Sequence, residues 1–389
     1  MKFDFDKQVK RRGSGSVKWD SVPDGVIPLW VADMDFEVAP AITKALEKRV
    51  AHGVFGYTRV GDSYYNAITS WFKRCHHWSI DRSWIIYTTG VVPAISCAIK
   101  ALTLSGEKVL IQTPVYNCFY SSIANQGCGT SENELVREGD RYVIDWDDFE
   151  ARCADEKVTV FLLCNPHNPV GRLWTPEELE RMGSICARHG VKVISDEIHC
   201  EIVMPGYNFT PFASVNALNQ DICVTLNSPS KSFNLAGLQI ANIICKDEEM
   251  RRRIDRVVNI YEVCDVNPFG PVALEAAYNE GEEWLNEMNQ YVWGNYQLLC
   301  KLFGKHLPAA KVTQLEGTYL AWLDVSCLGM DSNTLTRKAM KEAGVFFSSG
   351  MAYGEKAGHD FIRVNLACPR QTLEEGLRRF LLSSLVRHE

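Results

Sequence analysis

The stretch 158-VTVFLLCNPHNPVGRLWTPEELERMGSICARHGVKVISDE-197 holds two short apolar runs with a helical pattern between them. The runs VTVFLLC and VKVIS are rich in β-branched and apolar residues, which is typical of buried strands. The helical pattern has clear ends. Thr175 and Glu178 have the spacing of a capping box at its start, and Gly190 follows its last turn. The stretch therefore predicts a strand–helix–strand unit.

The same alternation continues on both sides of this unit. Three more short apolar runs read as buried strands: 84-WIIYTT-89, 108-KVLIQT-113 and 222-ICVTLN-227. Strands that alternate with helices predict an α/β fold with a mostly parallel sheet between two layers of helices. We expect this large domain to occupy residues 41–275.

The chain has a different pattern beyond two prolines in 267-NPFGP-271. A long helical stretch covers residues 282–306, and the tail combines two strand-like runs with a final amphipathic helix. These are 319-YLAWLDV-325, 361-FIRVNLA-367 and 371-QTLEEGLRRFLLSSL-385. The pattern predicts a smaller α+β domain over residues 276–389, and we expect residues 1–40 to form an arm that completes it.

Composition excludes several classes of protein. Of the 389 residues, 46% are hydrophobic and 23% are charged, which is typical of a globular chain. A net charge of −7 argues against a nucleic-acid surface. No apolar run approaches the roughly 18 residues of a membrane span, and residues 1–10 lack the apolar core of a signal peptide. The 14 cysteines are scattered, so we expect reduced thiols and a cytoplasmic protein.

Chemistry-bearing residues follow five of the predicted strands. In parallel sheets, ligands bind beyond the carboxyl ends of the strands, so these residues are candidates for one shared site. In chain order they are Gly90 with Val91 and Val92, Tyr116, Asn165 with Asn168, Asp196, and Lys231 with Ser228 and Ser230.

Each of these residues also has a structural explanation when it is taken alone. Asp196 would cap a helix, and Lys231 would be a solvated surface charge. The asparagines would form turns, Tyr116 would belong to the core, and Gly90 would allow a tight turn. It is less probable that all five structural explanations hold at successive strand ends than that these residues share one site.

Pyridoxal phosphate (PLP) chemistry would use all five features. A lysine amine forms a Schiff base with the cofactor's aldehyde, and a buried carboxylate keeps the pyridine nitrogen protonated. An amide can bind the phenolic oxygen and an aromatic side chain can stack on the ring. Backbone N–H groups at a helix start, together with serines, can hold the phosphate. The residues therefore predict a PLP enzyme.

Four segments resemble those of the fold-type I, class I/II aminotransferase-like PLP enzymes. They are 165-NPHNPVG-171, 195-SDE-197, 228-SPSKSFN-234 and 363-RVN-365. The N-terminal segments 13-GSGSVKWD-20 and 28-PLWVADMDF-36 resemble more specifically the MalY/PatB-type cystathionine β-lyases, which are carbon–sulfur β-lyases. The resemblance implies the fold-type I architecture, with a sheet of the seven-stranded type.

The resemblance also implies a role for each site residue. Lys231 would bind the cofactor covalently, Asp196 would pair with its ring nitrogen, and Tyr116 would stack on its ring. Arg363 would bind the substrate's α-carboxylate, and Tyr57 would reach the phosphate of a neighbouring subunit, which implies a homodimer with shared sites. The remaining implied cofactor contacts are Asn168 at the phenolic oxygen and Gly90, Val91, Val92, Ser228 and Ser230 at the phosphate.

Two positions depart from the pattern of aspartate aminotransferases. His199 stands where a tyrosine usually contacts the phenolic oxygen, and Gln239 stands where an arginine usually pairs with the phosphate. These departures weaken a standard aminotransferase assignment. Trp30, Ala32 and Asp33 are expected to line the substrate pocket.

The sequence therefore favours β-elimination from L-cystathionine, or from cysteine or its S-conjugates, to a thiol, pyruvate and ammonia. Lys231 would remove the Cα proton, and Lys231 or Tyr57 would donate the proton that the departing thiol takes up. Two alternatives stay open: an amino-acid aminotransferase, and a PLP-containing regulator that binds a partner.

Metal and dinucleotide sites are not expected. The clusters 196-DEIHC-200 and 75-CHH-77 lack the spacing of metal ligands. Gly13 and Gly15 lack the third glycine of a dinucleotide fingerprint.

Overall fold

The structure is a computed structural model that describes residues 1–386. Its larger sheet has seven strands in the order β2-β10-β9-β8-β7-β3-β4. All neighbours in this sheet are parallel except β10, which runs antiparallel to β2 and β9. The strands are β2 Ile85–Thr88, β3 Lys108–Thr113, β4 Gly129–Glu134, β7 Val158–Cys164, β8 Lys192–Asp196, β9 Cys223–Asn227 and β10 Ala241–Ile244. The predicted mostly parallel sheet is confirmed.

Helices cover both faces of this sheet. The α-helices of residues 1–386 are α1 Val17–Asp20, α2 Pro40–Ala51, α3 Asp62–His76, α4 Val91–Leu102, α5 Cys118–Asn125, α6 Trp146–Cys153, α7 Pro176–Arg188, α8 Ala217–Ile222, α9 Glu248–Ile260, α10 Gly270–Glu280, α11 Glu282–His306, α12 Ser332–Lys338 and α13 Arg370–Leu381, the last two of which pack on a second, smaller sheet. Successive residues of a strand point to opposite faces of the sheet and therefore pack in different hydrophobic clusters. Val160 and Leu162 of β7 pack in a cluster with α4, α5 and α9, whereas Phe161 and Leu163 pack on the opposite face.

The predicted capping box is present at the start of α7. The Thr175 hydroxyl accepts a hydrogen bond from the Glu178 N–H at 3.2 Å, and the Glu178 carboxylate accepts one from the Thr175 N–H at 2.8 Å. The helix ends at Arg188, and Gly190 adopts a positive φ of 73° that favours glycine. These contacts set the direction in which the chain enters β8, whose last residue is Asp196.

A second sheet of five strands has the order β1-β13-β14-β12-β11. Its members are β1 Ile27–Leu29, β11 Lys311–Val312, β12 Leu320–Asp324, β13 Val345–Ser349 and β14 Phe361–Asn365, and a separate hairpin joins β5 Val136–Glu138 to β6 Arg141–Val143. The N-terminal segment supplies β1, which pairs parallel to β13. Helix α11 has the predicted bounds, whereas α13 ends four residues before the predicted end. The divisions at residues 40 and 275 stay predictions.

Buried charges hold the N-terminal segment in place. Lys18 is fully buried, and its ammonium lies 2.8 Å from the Asp35 carboxylate. The Arg11 guanidinium contacts Asp35 at 2.7 Å and Asp33 at 2.8 Å. The side-chain amide of Asn234 donates to the carbonyls of Met34 and Phe36, and so ties this segment to the loop that carries Lys231. The backbone of residues 30–33 is therefore held over the larger sheet.

Residues 1–386 contain no helix with the length and apolar character that a bilayer crossing requires.

Candidate active site

A cavity of about 620 Å³ lies where the N-terminal segment and the two sheets meet. The N-terminal segment contributes Trp30, Val31 and Ala32 to its wall. The larger sheet's loops contribute Tyr116, Asn117, Cys118 and Lys231. The smaller sheet and its helices contribute Asn333, Thr336, Arg337, Phe346, Phe347, Ser348, Ser349, Ala352, Tyr353 and Arg363. The cavity volume is in the range of small-molecule sites.

Lys231 offers an amine to this cavity. Its Nζ donates to the Ala32 carbonyl at 2.6 Å, and the Tyr319 hydroxyl donates to the same carbonyl at 3.0 Å. Burial lowers the pKa of Lys231 to about 8, and the nearby Arg363 charge acts in the same direction. The amine is therefore far more available as a nucleophile or base near neutral pH than an exposed lysine.

The loop before Lys231 is held by a serine. The Ser228 hydroxyl donates to the Ile240 carbonyl at 2.6 Å and accepts from the Ser230 N–H at 3.1 Å. The hydroxyl hydrogen of Ser228 is therefore bound to a backbone carbonyl in this structure, and Ser228 is almost fully buried. Ser230 is only half-buried.

Asp196 is a buried carboxylate with no ion-pair partner within residues 1–386. Its Oδ1 accepts one hydrogen bond, from the Ile198 N–H at 3.1 Å. Burial raises the pKa of Asp196 to about 7, although the Lys231 charge opposes this shift. A cationic partner would stabilise the charged form of this buried, unpaired carboxylate, because it would offset the cost of desolvation.

Arg363 lies on β14 and has no carboxylate partner in the described part of the chain. Its guanidinium donates to Asn168 Oδ1 at 3.1 Å and to the Trp30 carbonyl at 2.9 Å. It also lies 4.7 Å from the centre of the Tyr353 ring. Its buried Nε has no hydrogen-bond partner among the described residues. The charge is held in a fixed orientation and can bind a carboxylate in two-pronged geometry.

His199 is neutral in this site. Burial keeps the pKa of His199 well below its usual value, and the Lys231 and Arg363 charges add to this effect. The ring packs edge-on to Tyr319 with centres 5.8 Å apart, and its buried Nδ1 has no partner within residues 1–386. A neutral imidazole can donate a hydrogen bond without adding charge.

The remaining predicted cofactor contacts lie at strand and helix ends. Val91 begins α4, and Gly90 is its N-cap residue, so the backbone N–H groups of residues 90–92 belong to a helix start. Tyr116 lines the cavity, and burial raises the pKa of its hydroxyl. Gln239 adopts a left-handed conformation with a φ of 49°.

Five of the predicted site residues line the cavity: Trp30, Ala32, Tyr116, Lys231 and Arg363. Ten others are not among its lining residues: Asp33, Tyr57, Gly90, Val91, Val92, Asn168, Asp196, His199, Ser228 and Ser230. The Asp33 carboxylate pairs with Arg11, and its place in the substrate pocket stays a prediction. Tyr57 is fully exposed in the single chain.

Several cavity residues were not predicted from the sequence. Tyr319 and Ser348 bond to the backbone of the N-terminal segment, and Asn333 and Arg337 come from α12. No local motif marks these residues, since their place in the site depends on how the small sheet packs.

One cluster of metal-ligating types forms outside this cavity. The ligand atoms of His76, Cys200 and Glu201 lie within 4.8 Å of one another. The His76 ring contacts the Glu201 carboxylate at 2.9 Å, and the Trp71 N–H donates to the same oxygen at 2.6 Å. Although burial opposes the shift, the Glu201 charge raises the pKa of His76. A buried ion pair accounts for these contacts, and the absence of a metal stays a prediction.

Taken together, the cavity and the neighbouring strand ends suit a cofactor with an aldehyde, a basic ring nitrogen and a phosphate. Lys231 could hold the aldehyde, and unpaired Asp196 could hold a protonated nitrogen. The helix start at residues 90–92 could hold the phosphate. The unpaired Arg363 is then left to bind the carboxylate of an amino acid.

Comparisons with known proteins agree with this chemistry. The sequence pattern of the family described as aminotransferase class I and II matches residues 24–380. Cystathionine beta-lyase PatB of Bacillus subtilis is 40% identical over 97% of this chain and 98% of its own length. Protein MalY of Escherichia coli is 35% identical over 96% of this chain and 97% of its own length. The crystal structure of the PLP-bound C-S lyase from Staphylococcus hominis is similar with a TM-score of 0.92 and 32% identity, over 99% of both chains.

Proposed function

The chain belongs to the aminotransferase class I and II family, and we propose that it acts there as a PLP-dependent carbon–sulfur β-lyase. It cleaves L-cystathionine, and cysteine or its S-conjugates, to a thiol, pyruvate and ammonia. The observation that carries this proposal is that Lys231 and Arg363 face one cavity, and that the buried Asp196 ends β8, the strand next to β9, whose following loop carries Lys231. The full-length similarity to a cystathionine beta-lyase supports the same reaction.

The bound cofactor supplies an electron sink for the charge left when the Cα–H bond breaks. Lys231 would hold the cofactor covalently, and its Nζ would remove the Cα proton of the substrate. Asp196 keeps the ring nitrogen protonated. Arg363 binds the α-carboxylate and so orients the Cα–H bond toward Lys231.

The other site residues have positioning roles in this proposal. Asn168 and neutral His199 would donate hydrogen bonds to the phenolic oxygen, and Tyr116 would stack on the ring. Gly90, Val91, Val92, Ser228 and Ser230 would hold the phosphate. The thiolate that leaves Cβ would take its proton from Lys231 or from Tyr57.

A purified sample given L-cystathionine, with no keto acid present, is expected to release pyruvate and a thiol in equal amounts. β-Elimination needs no acceptor, because the amino group leaves as ammonia. The measurement is coupled detection of pyruvate together with a thiol assay. Release of neither product from cystathionine, cysteine or an S-alkyl cysteine would contradict the proposal.

The family match also supports a second candidate, an aminotransferase of amino acids. Transamination shares every step up to the loss of the Cα proton and differs in where the proton returns. Its products would depend on an added keto acid, whereas the pyruvate from elimination would not. The same assay with and without a keto acid therefore separates the two reactions.

The active unit in this proposal is a cytoplasmic homodimer. All 14 cysteines are unpaired in the described chain, as expected in a reducing compartment. The loop at residues 53–57 exposes Val54, Phe55 and Tyr57 together, and a cluster of exposed apolar side chains is typical of a contact surface. Tyr57 would then bind the phosphate in the partner's cavity.

Co-expression of a Lys231→Ala chain with a Tyr57→Ala chain tests this shared site. If Tyr57 acts across the interface, each mixed dimer has one site with both residues intact. Random pairing should then restore about a quarter of wild-type activity in the mixture and about half in the isolated mixed dimer, although each variant alone is nearly inactive. Isolation of the mixed dimer by two different tags gives the measurement. No activity in the mixed dimer would show that both residues act in the same chain.

A further inference from the structure

Arg337 is a cation in the cavity wall that the reaction described above does not use. It lies in the last turn of α12, next to Asn333 and Thr336, which also line the cavity. Its guanidinium bonds only within its own helix, to the Asn333 carbonyl at 3.1 Å and to the Thr334 hydroxyl at 3.4 Å. It forms no ion pair among the described residues, so its charge is available to a ligand.

The charges of the cavity wall are unbalanced. Lys231, Arg337 and Arg363 line it, and no lining residue in the described chain is an aspartate or glutamate. In the proposed reaction Lys231 serves the cofactor and the proton transfer, and Arg363 binds the α-carboxylate. Arg337 is then left without an anion at an exposed position of the cavity wall, where a carboxylate can accept a charge-assisted hydrogen bond from it.

An apolar surface lines the same cavity as this cation. The rings of Trp30 and Phe346 line the same cavity with centres 5.4 Å apart. Such a surface suits methylene groups, whereas the guanidinium suits a terminal carboxylate. A thioether with a short alkyl chain and a carboxylate at its far end matches both features.

We infer that Arg337 determines specificity by binding a carboxylate at the far end of the substrate's leaving thiol. This inference rests on the proposed function and narrows its substrate class to S-substituted cysteines with an anionic leaving group. Arg337 makes no contact with the bond that breaks, so its effect falls on substrate binding more than on the chemical step.

A purely structural role for Arg337 makes a different prediction. A cation in the last turn of a helix stabilises the helix dipole, and Lys338 occupies the same turn. Lys338 does not line the cavity. Lys338→Met is therefore a matched control that removes a charge from the same turn and leaves the cavity unchanged.

The test compares S-(3-carboxypropyl)-L-cysteine with S-butyl-L-cysteine, which has a methyl group in place of the carboxylate. Arg337→Met should lower kcat/KM about tenfold or more for the carboxylate substrate, chiefly through KM, because a charge-assisted hydrogen bond is lost. The effect on the butyl substrate should stay within about twofold, as should the effect of Lys338→Met on both substrates. Inhibition by 4-mercaptobutanoate should weaken about tenfold in Arg337→Met alone.

The possible results distinguish failure of the role of Arg337 from failure of the lyase reaction. Arg337→Gln provides a second neutral variant, and thermal unfolding shows that both variants fold. Equal losses of kcat/KM on the two substrates, or unchanged inhibition by 4-mercaptobutanoate, would overturn the role of Arg337. Release of pyruvate by the wild-type protein would still support the lyase reaction. Absence of pyruvate from both substrates with the wild-type protein would overturn the lyase itself.

Discussion

Replacing Lys231 with alanine is expected to reduce pyruvate release from L-cystathionine by at least about 10⁴-fold, because one amine serves both as covalent anchor and as base. Among the described residues, no other lysine lines the cavity and could replace it. The decrease should appear in kcat, since Arg363 is still present to bind the substrate's carboxylate. Steady-state rates with saturating PLP give the measurement.

Borohydride reduction of the loaded protein, followed by peptide mapping, gives an independent test. The label should be on Lys231 in the wild type and absent in the variant. Lys246→Ala is the control, because this lysine is partly exposed and forms an ion pair with Asp221 on the surface. A label on another side chain, or turnover in Lys231→Ala near that of the control, would remove the basis of the proposed mechanism.

Replacing Asp196 with asparagine is expected to lower turnover by about 10²–10³-fold while the protein still folds and still binds PLP through Lys231. The amide carries no charge to hold a protonated ring nitrogen, so the ring accepts electrons less readily. Exchange of the substrate's Cα proton in deuterated water should slow by the same factor, because this step precedes loss of the thiol.

Glu197 provides a matched control for this variant. Burial raises the pKa of Glu197 to about 7, as it does for its neighbour Asp196. The Glu197 carboxylate, however, accepts hydrogen bonds from the Ser195 hydroxyl at 2.8 Å and the Phe212 N–H at 2.9 Å, whereas the Asp196 carboxylate accepts only the Ile198 N–H among the described residues. Glu197→Gln should keep turnover within a few-fold of wild type. Equal losses in both variants would mean that Asp196 acts only through folding.

Local sequence patterns were sufficient for most of the larger sheet. Five of its seven strands are apolar runs, and the helix that begins with the Thr175 capping box is where the pattern predicts it. The two other strands had weak signals. Strand β4 has the sequence GTSENE and lies at the edge of the sheet, and β10 has only four residues. Polar edge strands and very short strands form because a neighbouring strand offers them backbone hydrogen-bond partners, so their own sequences do not predict them.

Local patterns in the sequence were enough to place an amine, a carboxylate and an amide at strand ends, and so to predict that they share one site. Parallel strands end at the same edge of a sheet, which makes that convergence a consequence of local pattern and topology. The groups that face them across the cavity could be identified only from the folded structure. The contact between Lys231 and the Ala32 carbonyl joins residues far apart in the chain, and Arg337 enters the same cavity from α12. Such contacts depend on how the N-terminal segment and the small sheet pack, and packing between distant segments has no signature in any short stretch of sequence.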